Sequence, residues 1–248
     1  MTMEEKVYQE EMLKILAYID KCLVEKNLWY TLAYGSVLGA VRENGFIPWD
    51  RDADIFIKLP DREIIRSVLK KHLPDAWEYL DSSKDNVNCF DNIRSKEYGE
   101  FAQVDIYTLY GAPDIAKMKQ SKIKGILRRN KICTKLFGAK YGDYRKLRKG
   151  YKVIPFFLVK AFLHGIPNKW IRRIITHYEC KDSFENAPYM MSMVTYRRPT
   201  DIMPRKVFDT SLRHVFENIE VNIPGDYTTY LERSYGSDYM IPKQTGWK

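Results

Sequence analysis

The sequence is poor in cysteine and histidine, and neither is clustered. Cys22, Cys89, Cys133 and Cys180 lie far apart with no Cys-x-x-Cys pair. That spacing excludes a zinc knuckle and a thiol redox motif. The four read as reduced, partly buried thiols of a cytosolic protein. His72, His164, His177 and His214 show no metal-ligand spacing. No apolar run approaches the roughly 18 uninterrupted residues of a membrane span. The first residues carry Glu4 and Glu5 and no continuous apolar stretch, so no signal peptide is evident. The expected location is cytoplasmic, with peripheral attachment to the inner face of a membrane left open.

What is present is a chain of 248 residues with an ordinary apolar fraction of 45%. That length suits one large domain, or one domain with a substantial insertion. The net charge of +9 is unevenly placed. From Lys117 to Lys152 there are 14 Lys or Arg and one acid, Asp143, so this segment carries +13 and the remainder about −4. One segment, and not the whole protein, is built for an anionic partner.

The most informative stretch runs from Tyr34 to Ile57. A Gly35-Ser36 turn is followed by Asp50, Asp52 and Asp54 at i, i+2 and i+4. In extended chain all three project from one side of a strand. Three clustered anions are costly unless a cation neutralises them. The hard cation that suits them is Mg²⁺ (or Mn²⁺), which prefers carboxylate oxygens and leaves positions open for substrate phosphates. Short Asp-x-Asp runs are usually solvated loops. Here Ala53, Ile55 and Ile57 alternate with Asp52, Asp54 and Phe56, so the acids enter an apolar strand. The turn at Gly35-Ser36 is a place where backbone N–H groups can meet a phosphate.

Helical spacing of Met12, Ile15, Leu16, Ile19 and Leu23 predicts a helix over 4–27. A short strand is expected over 29–33. A helix is expected over 36–44, with Ser36 as N-cap and Gly45 as its stop. Pro48 makes 46–49 extended. The acidic strand is expected over 52–58, a helix over 60–72, and strands over 91–95 and 103–110. Within the last, Asp105 stands alone in the β-prone run Val104-Asp105-Ile106-Tyr107. It is either a strand-end residue or part of a buried site. A helix is expected over 226–234.

These features together resemble the nucleotidyltransferase superfamily and, more closely, the LicD family. The residues that carry the resemblance are Gly35-Ser36-x-Leu38-Gly39-Ala40-x-Arg42 and Gly45-Phe46-Ile47-Pro48-Trp49-Asp50-x-Asp52-x-Asp54. Near the end of the chain, Phe216-Glu217, Ile223-Pro224-x-Asp226-Tyr227 and Tyr235-Gly236-x-Asp238-Tyr239-Met240 agree with the same family. The likeness covers about 30–110 and 203–242; residues 114–200 match nothing in it. Many members carry three consecutive acids after the Trp, and here Arg51 interrupts them.

The resemblance implies transfer of a phosphorylated alcohol, such as phosphocholine, from a CDP-alcohol to a hydroxyl of a cell-surface glycan or glycolipid precursor, with release of CMP. It assigns the metal to Asp52, Asp54 and Asp105. Asp50 is a further ligand, a group behind the ligands, or a base. Gly35 and Ser36 would hold phosphate oxygens. Arg42 is either a phosphate clamp or a surface helix arginine. Phosphoryl-type transfer needs phosphate charge neutralised and an oriented attacking oxygen. A general base is required in principle, and no residue stands out for it. Trp49 and the C-terminal tyrosines either pack in the core or meet a cytosine or a choline cation.

The basic segment is followed by the apolar run 153–163 and by Trp170-Ile171-Arg172-Arg173-Ile174-Ile175. Two readings stay open for 117–175: helices lying on an anionic membrane surface, or a helical subdomain whose apolar face packs on the core. The competing functional class is a nucleotidyltransferase that uses an NTP on a small molecule or RNA. No RNA-binding module is recognisable, so no nucleic-acid partner is expected. The expected fold is α/β, a nucleotidyltransferase-like mixed sheet with flanking helices. Its catalytic core covers 1–113, a basic, mostly helical insertion 114–200, and the C-terminal part of the domain 201–248.

Overall fold

The computed structural model describes residues 3–50, 52–82, 88–141 and 153–242. It has the expected α/β fold, and the chain divides into two units. The first holds residues up to Tyr79, Asn92–Ile106 and those from Met203 onward; the second holds Leu80–Asp91 and Tyr107–Ile202.

The first unit begins with helix α1 (Met3–Val24), whose buried face is Met12, Ile15, Leu16, Ile19 and Leu23. Burial of each such side chain stabilises the fold by roughly 1.5–3 kcal/mol. Helix α3 (Arg62–Lys71) packs beside it. Polar ties hold α1 in place: Tyr18 Oη donates to the Leu69 carbonyl at 2.8 Å and Trp77 Nε1 to Glu11 at 2.8 Å.

Strand β1 (Tyr30–Leu32) pairs antiparallel with β2 (Ala53–Lys58), Tyr30 opposite Ile57 and Leu32 opposite Ile55. The sheet continues through β5 (Gln103–Ala112) and β4 (Asp91–Ser95) to β3 (Trp77–Leu80), in the order β1-β2-β5-β4-β3. The strand of Asp105 is thus the direct neighbour of the strand of Asp54. Helix α2 (Tyr34–Glu43) leaves β1 and packs on β2. After the short strand β7 (Met203–Pro204), strands β8 (Ser211–Phe216) and β9 (Ile219–Pro224) form a separate antiparallel hairpin that packs on β1 and α2, and α7 (Tyr227–Tyr235) follows it.

An aromatic core lies behind the acidic strand. The Phe56 ring meets those of Tyr34, Phe208 and Tyr230 at 5.0, 5.6 and 6.4 Å between centroids. Phe56 shares its strand face with Asp54 two residues earlier, so this aromatic cluster borders the acid.

In the second unit β5 continues and pairs antiparallel with β6 (Tyr189–Met191). Helices α4 (Gln120–Tyr141), α5 (Val153–His164) and α6 (Asn168–Glu179) follow β5, with both shorter helices packed on α4. Asn130 is fully buried on α4 and donates to the carbonyls of Thr195 at 3.0 Å and Ser192 at 3.4 Å. This segment is helical, as its composition implied; residues 142–152 of the basic run lie outside the described residues. The four cysteines are unpaired. Among the described residues no helix is long and apolar enough to cross a membrane.

Candidate active site

The site is assembled where β1 turns into α2. Tyr34 takes a left-handed backbone, φ 45°, which a tyrosine adopts only when its surroundings enforce it. The enforcement is visible: the Tyr34 N–H donates to Tyr230 Oη at 2.8 Å. Burial pushes the Tyr230 phenol well above its ordinary pKa, and the neighbouring Tyr235, Tyr34 and Asp54 add to this. Tyr230 therefore stays neutral and can accept that hydrogen bond at any working pH.

This arrangement corrects one expectation. Ser36 does not cap α2; the helix starts at Tyr34 and Ala33 is the N-cap. The Ser36 hydroxyl instead accepts the backbone N–H of Asp54 at 2.9 Å, while the Ala33 N–H donates to the Asp54 carbonyl at 2.8 Å. The serine of the Gly-Ser turn thus clamps the acidic strand. At the other end Asn44, not Gly45, takes the left-handed C-cap position.

Gly35 is needed for a close approach. A Cβ there would stand 2.6 Å from Asp50 Oδ2, so the Asp50 carboxylate rests against the bare glycine. Gln9 of α1 holds Asp50 from behind, its side-chain amide donating to the Asp50 carbonyl at 3.3 Å. The expected phosphate cradle is partly spent within the chain. Tyr34 donates to Tyr230, and Ser36 and Val37 both donate to the Ala33 carbonyl.

Asp54 and Asp105 are both only 6% exposed, on neighbouring strands, and Gln103 donates to Asp105 Oδ1 at 3.0 Å. Asp52, two residues before Asp54, is exposed at the mouth of β2. Arg51 lies outside the described residues. Hard carboxylate oxygens suit Mg²⁺ or Mn²⁺. Two buried acids on adjacent strands are an environment that a divalent cation stabilises. Among the described residues no three acid, histidine or cysteine side chains form a ready-made cage. A cation here would take few protein ligands and complete its shell with water and substrate phosphate, the usual habit of Mg²⁺.

Arg42 is neither a free surface residue nor open to a ligand on all sides. Its Nε pairs with Glu43 at 2.7 Å and its guanidinium donates to the Tyr239 carbonyl at 3.4 Å. It ties α2 to the C-terminal Tyr-Gly-x-Asp-Tyr stretch. Trp49 is about half exposed, which is not core packing.

Two contributors were not singled out from the sequence for any role. Tyr230 gave no local signal, because its partner lies 196 residues away. Glu217, at the tip of the β8–β9 hairpin, accepts the Phe46 N–H at 3.0 Å and donates its own N–H to the Asn44 carbonyl at 2.6 Å. Its carboxylate fills the space a Cβ on Gly45 would need. The hairpin therefore fixes the loop that leads to Asp50.

A Gly-Ser turn is thus clamped to an acidic strand, and the next strand carries a further buried aspartate. Residues 27–137 match the family described as LicD/FKTN/FKRP, nucleotidyltransferase domain. The chain is also 22% identical over 252 residues to the lipopolysaccharide cholinephosphotransferase LicD of Haemophilus influenzae, spanning 92% of this chain and 88% of that protein. Both matches are likenesses to the LicD family.

Proposed function

We propose that this protein transfers a phosphorylated alcohol, phosphocholine or a close analogue, from a CDP-alcohol to a hydroxyl of a cell-surface glycan precursor, releasing CMP. What supports the reading is the relative's cholinephosphotransferase name together with one structural observation. The Ser36–Asp54 hydrogen bond joins a phosphate-type turn to an acidic strand whose neighbour carries Asp105.

In the proposed reaction an acceptor hydroxyl oxygen attacks the phosphorus of the alcohol-phosphate half. The bond from that phosphorus to the bridging oxygen breaks, CMP leaves, and the hydroxyl proton passes to a base or to water. Asp52, Asp54 and Asp105 would hold Mg²⁺ or Mn²⁺, which supplies charge neutralisation on the diphosphate. Asp50, held by Gln9 and seated on Gly35, stands at the turn. There it is suited to orient a phosphate-bound water or to take a proton. The Ser36 hydroxyl accepts from Asp54 and retains its own proton to donate to a phosphate oxygen. Arg42 contributes the guanidinium donors that Glu43 and Tyr239 leave, and Gly35 gives Asp50 its close seat at the turn. Trp49 offers an aromatic face to the cytosine or to a choline cation.

The test is CMP release. CDP-choline, CDP-ribitol and CDP-glycerol are each incubated with the protein, Mg²⁺ and candidate glycans, beside parallel reactions with free NTPs. Acceptor-dependent CMP formation from one CDP-alcohol supports the reading. Pyrophosphate release from an NTP, with no CMP from any CDP-alcohol, replaces it with the nucleotidyltransferase alternative.

A further inference from the structure

Helix α6 carries two apolar stripes. Ile171 and Ile175, with Glu179, form its buried face. Trp170 and Ile174, one turn apart, are left exposed. The preceding helix does the same: Leu158 and Phe162 of α5 are 68% and 72% exposed, with Val159 exposed between them. Scattered single apolar residues are normal on a surface, but five large ones on two successive helices are not. The charged residues among them are basic: Lys160, Lys169, Arg172 and Arg173. The only acid from Val153 to Glu179 is Glu179 itself, and it is buried.

Helix length decides between crossing and lying flat. Each helix has 12 residues, about 18 Å at 1.5 Å per residue. That falls well short of the roughly 30 Å hydrocarbon core of a bilayer. Charge decides the partner. Two copies of so basic a surface repel, whereas an anionic bilayer offers apolar depth and opposite charge together. The segment Lys117–Lys152, at +13, adds attraction of the same sign.

We infer that α5 and α6 form a membrane-docking surface. Leu158, Val159, Phe162, Trp170 and Ile174 enter the interfacial layer of an anionic bilayer, and Lys160, Lys169 and Arg173 meet lipid phosphates. The inference does not depend on the proposed reaction, since its readouts are binding and fluorescence.

The full chain is sedimented with vesicles of phosphatidylcholine alone and of phosphatidylcholine mixed with phosphatidylglycerol. Binding is expected only with phosphatidylglycerol present, weakening as salt rises. The exposed-site variant Leu158→Gln/Phe162→Gln is expected to bind at least tenfold more weakly. Should that variant fail to fold, Trp170→Phe keeps the question open to test. Vesicles are expected to shift tryptophan emission of the wild type to the blue, and Trp170→Phe is expected to remove most of that shift. Unchanged binding by the double variant, or a blue shift that survives Trp170→Phe, overturns the inference. So does a wild type that ignores the vesicles but is a dimer that the double variant dissociates, because the face then belongs between copies.

Discussion

The two units of this chain use their polar and apolar groups in opposite ways. In the first, side chains that look like surface groups are drawn inward and tied. Ser36 clamps the backbone of Asp54, Tyr230 pins Tyr34, Gln9 holds Asp50 and Glu217 fastens the 44–46 loop. In the second, α5 and α6 leave large apolar side chains outside, although the same α6 has a well-buried stripe of its own. Preorganised polar contacts belong to a place where charge must be positioned. Apolar groups kept in water belong to a place that will meet something apolar. The charge distribution follows the same division, with the excess of positive charge in Lys117–Lys152 and a slight negative remainder elsewhere.

The largest effect is expected from Asp54→Asn. The change is isosteric and leaves the Ser36 contact to the backbone intact, so unfolding by urea should be little altered. Loss of a charge at the proposed metal centre should cost about 4 kcal/mol or more, at least a thousandfold in kcat/KM for CMP release. Turnover near the wild-type level at saturating Mg²⁺ would remove Asp54 from the site.

Next comes Ser36→Ala, which separates clamp from cradle. The buried Asp54 N–H loses its acceptor, and about 1–3 kcal/mol of stability should go with it. Urea midpoints read this directly. If Ser36 served only an incoming phosphate, activity would fall with no change in midpoint.

A smaller stability effect is expected at Asp226, the N-cap of α7, which accepts the Thr229 N–H at 3.1 Å. Desolvation pulls its pKa upward, but the Thr229 hydrogen bonds and the Lys206 ammonium 3.3 Å away outweigh it, so the folded value lies below 3.8. A depressed carboxyl contributes stability above its unfolded pKa and loses it as pH falls through the folded value. Asp226→Asn, which keeps the cap but not the charge, should melt lower than wild type at neutral pH. The two should converge in acid below the ordinary carboxylate range. A gap independent of pH would show that the charge contributes nothing.

The smallest effect on chemistry should come from the second unit. Replacing the exposed Lys119, Lys122, Lys124, Arg128, Lys131 and Lys135 by Gln should leave turnover of a soluble acceptor fragment nearly unchanged while weakening binding to anionic vesicles. Equal losses in both assays would erase the division between the units.

Much of the first unit was legible in the sequence, because its signals are local. The 3.6-residue spacing of Met12 to Leu23 gave the buried face of α1. The alternation from Asp52 to Ile57 gave β2. The β-prone run around Asp105 gave the strand that proved to lie next to it. What could not be read depends on distant partners. The start of α2 is set by the left-handed Tyr34 and by Tyr230, so Ser36 passes from cap to clamp. The Gly45 position is governed by Glu217 across a hairpin that no strong local pattern announced. Strand β3 is short and only half buried, which leaves little periodicity to detect. In the second unit, composition gave helices and charge, but which apolar residues stay outside is a matter of packing.

The most direct test measures CMP release and vesicle binding on the same two proteins, Asp54→Asn and Leu158→Gln/Phe162→Gln. The expected result is a crossed pattern. Asp54→Asn loses CMP release and binds anionic vesicles like the wild type. The double variant loses vesicle binding and releases CMP normally with a soluble acceptor. If either protein loses both properties while remaining folded, the chemistry and the docking surface are not separate, and the account is contradicted.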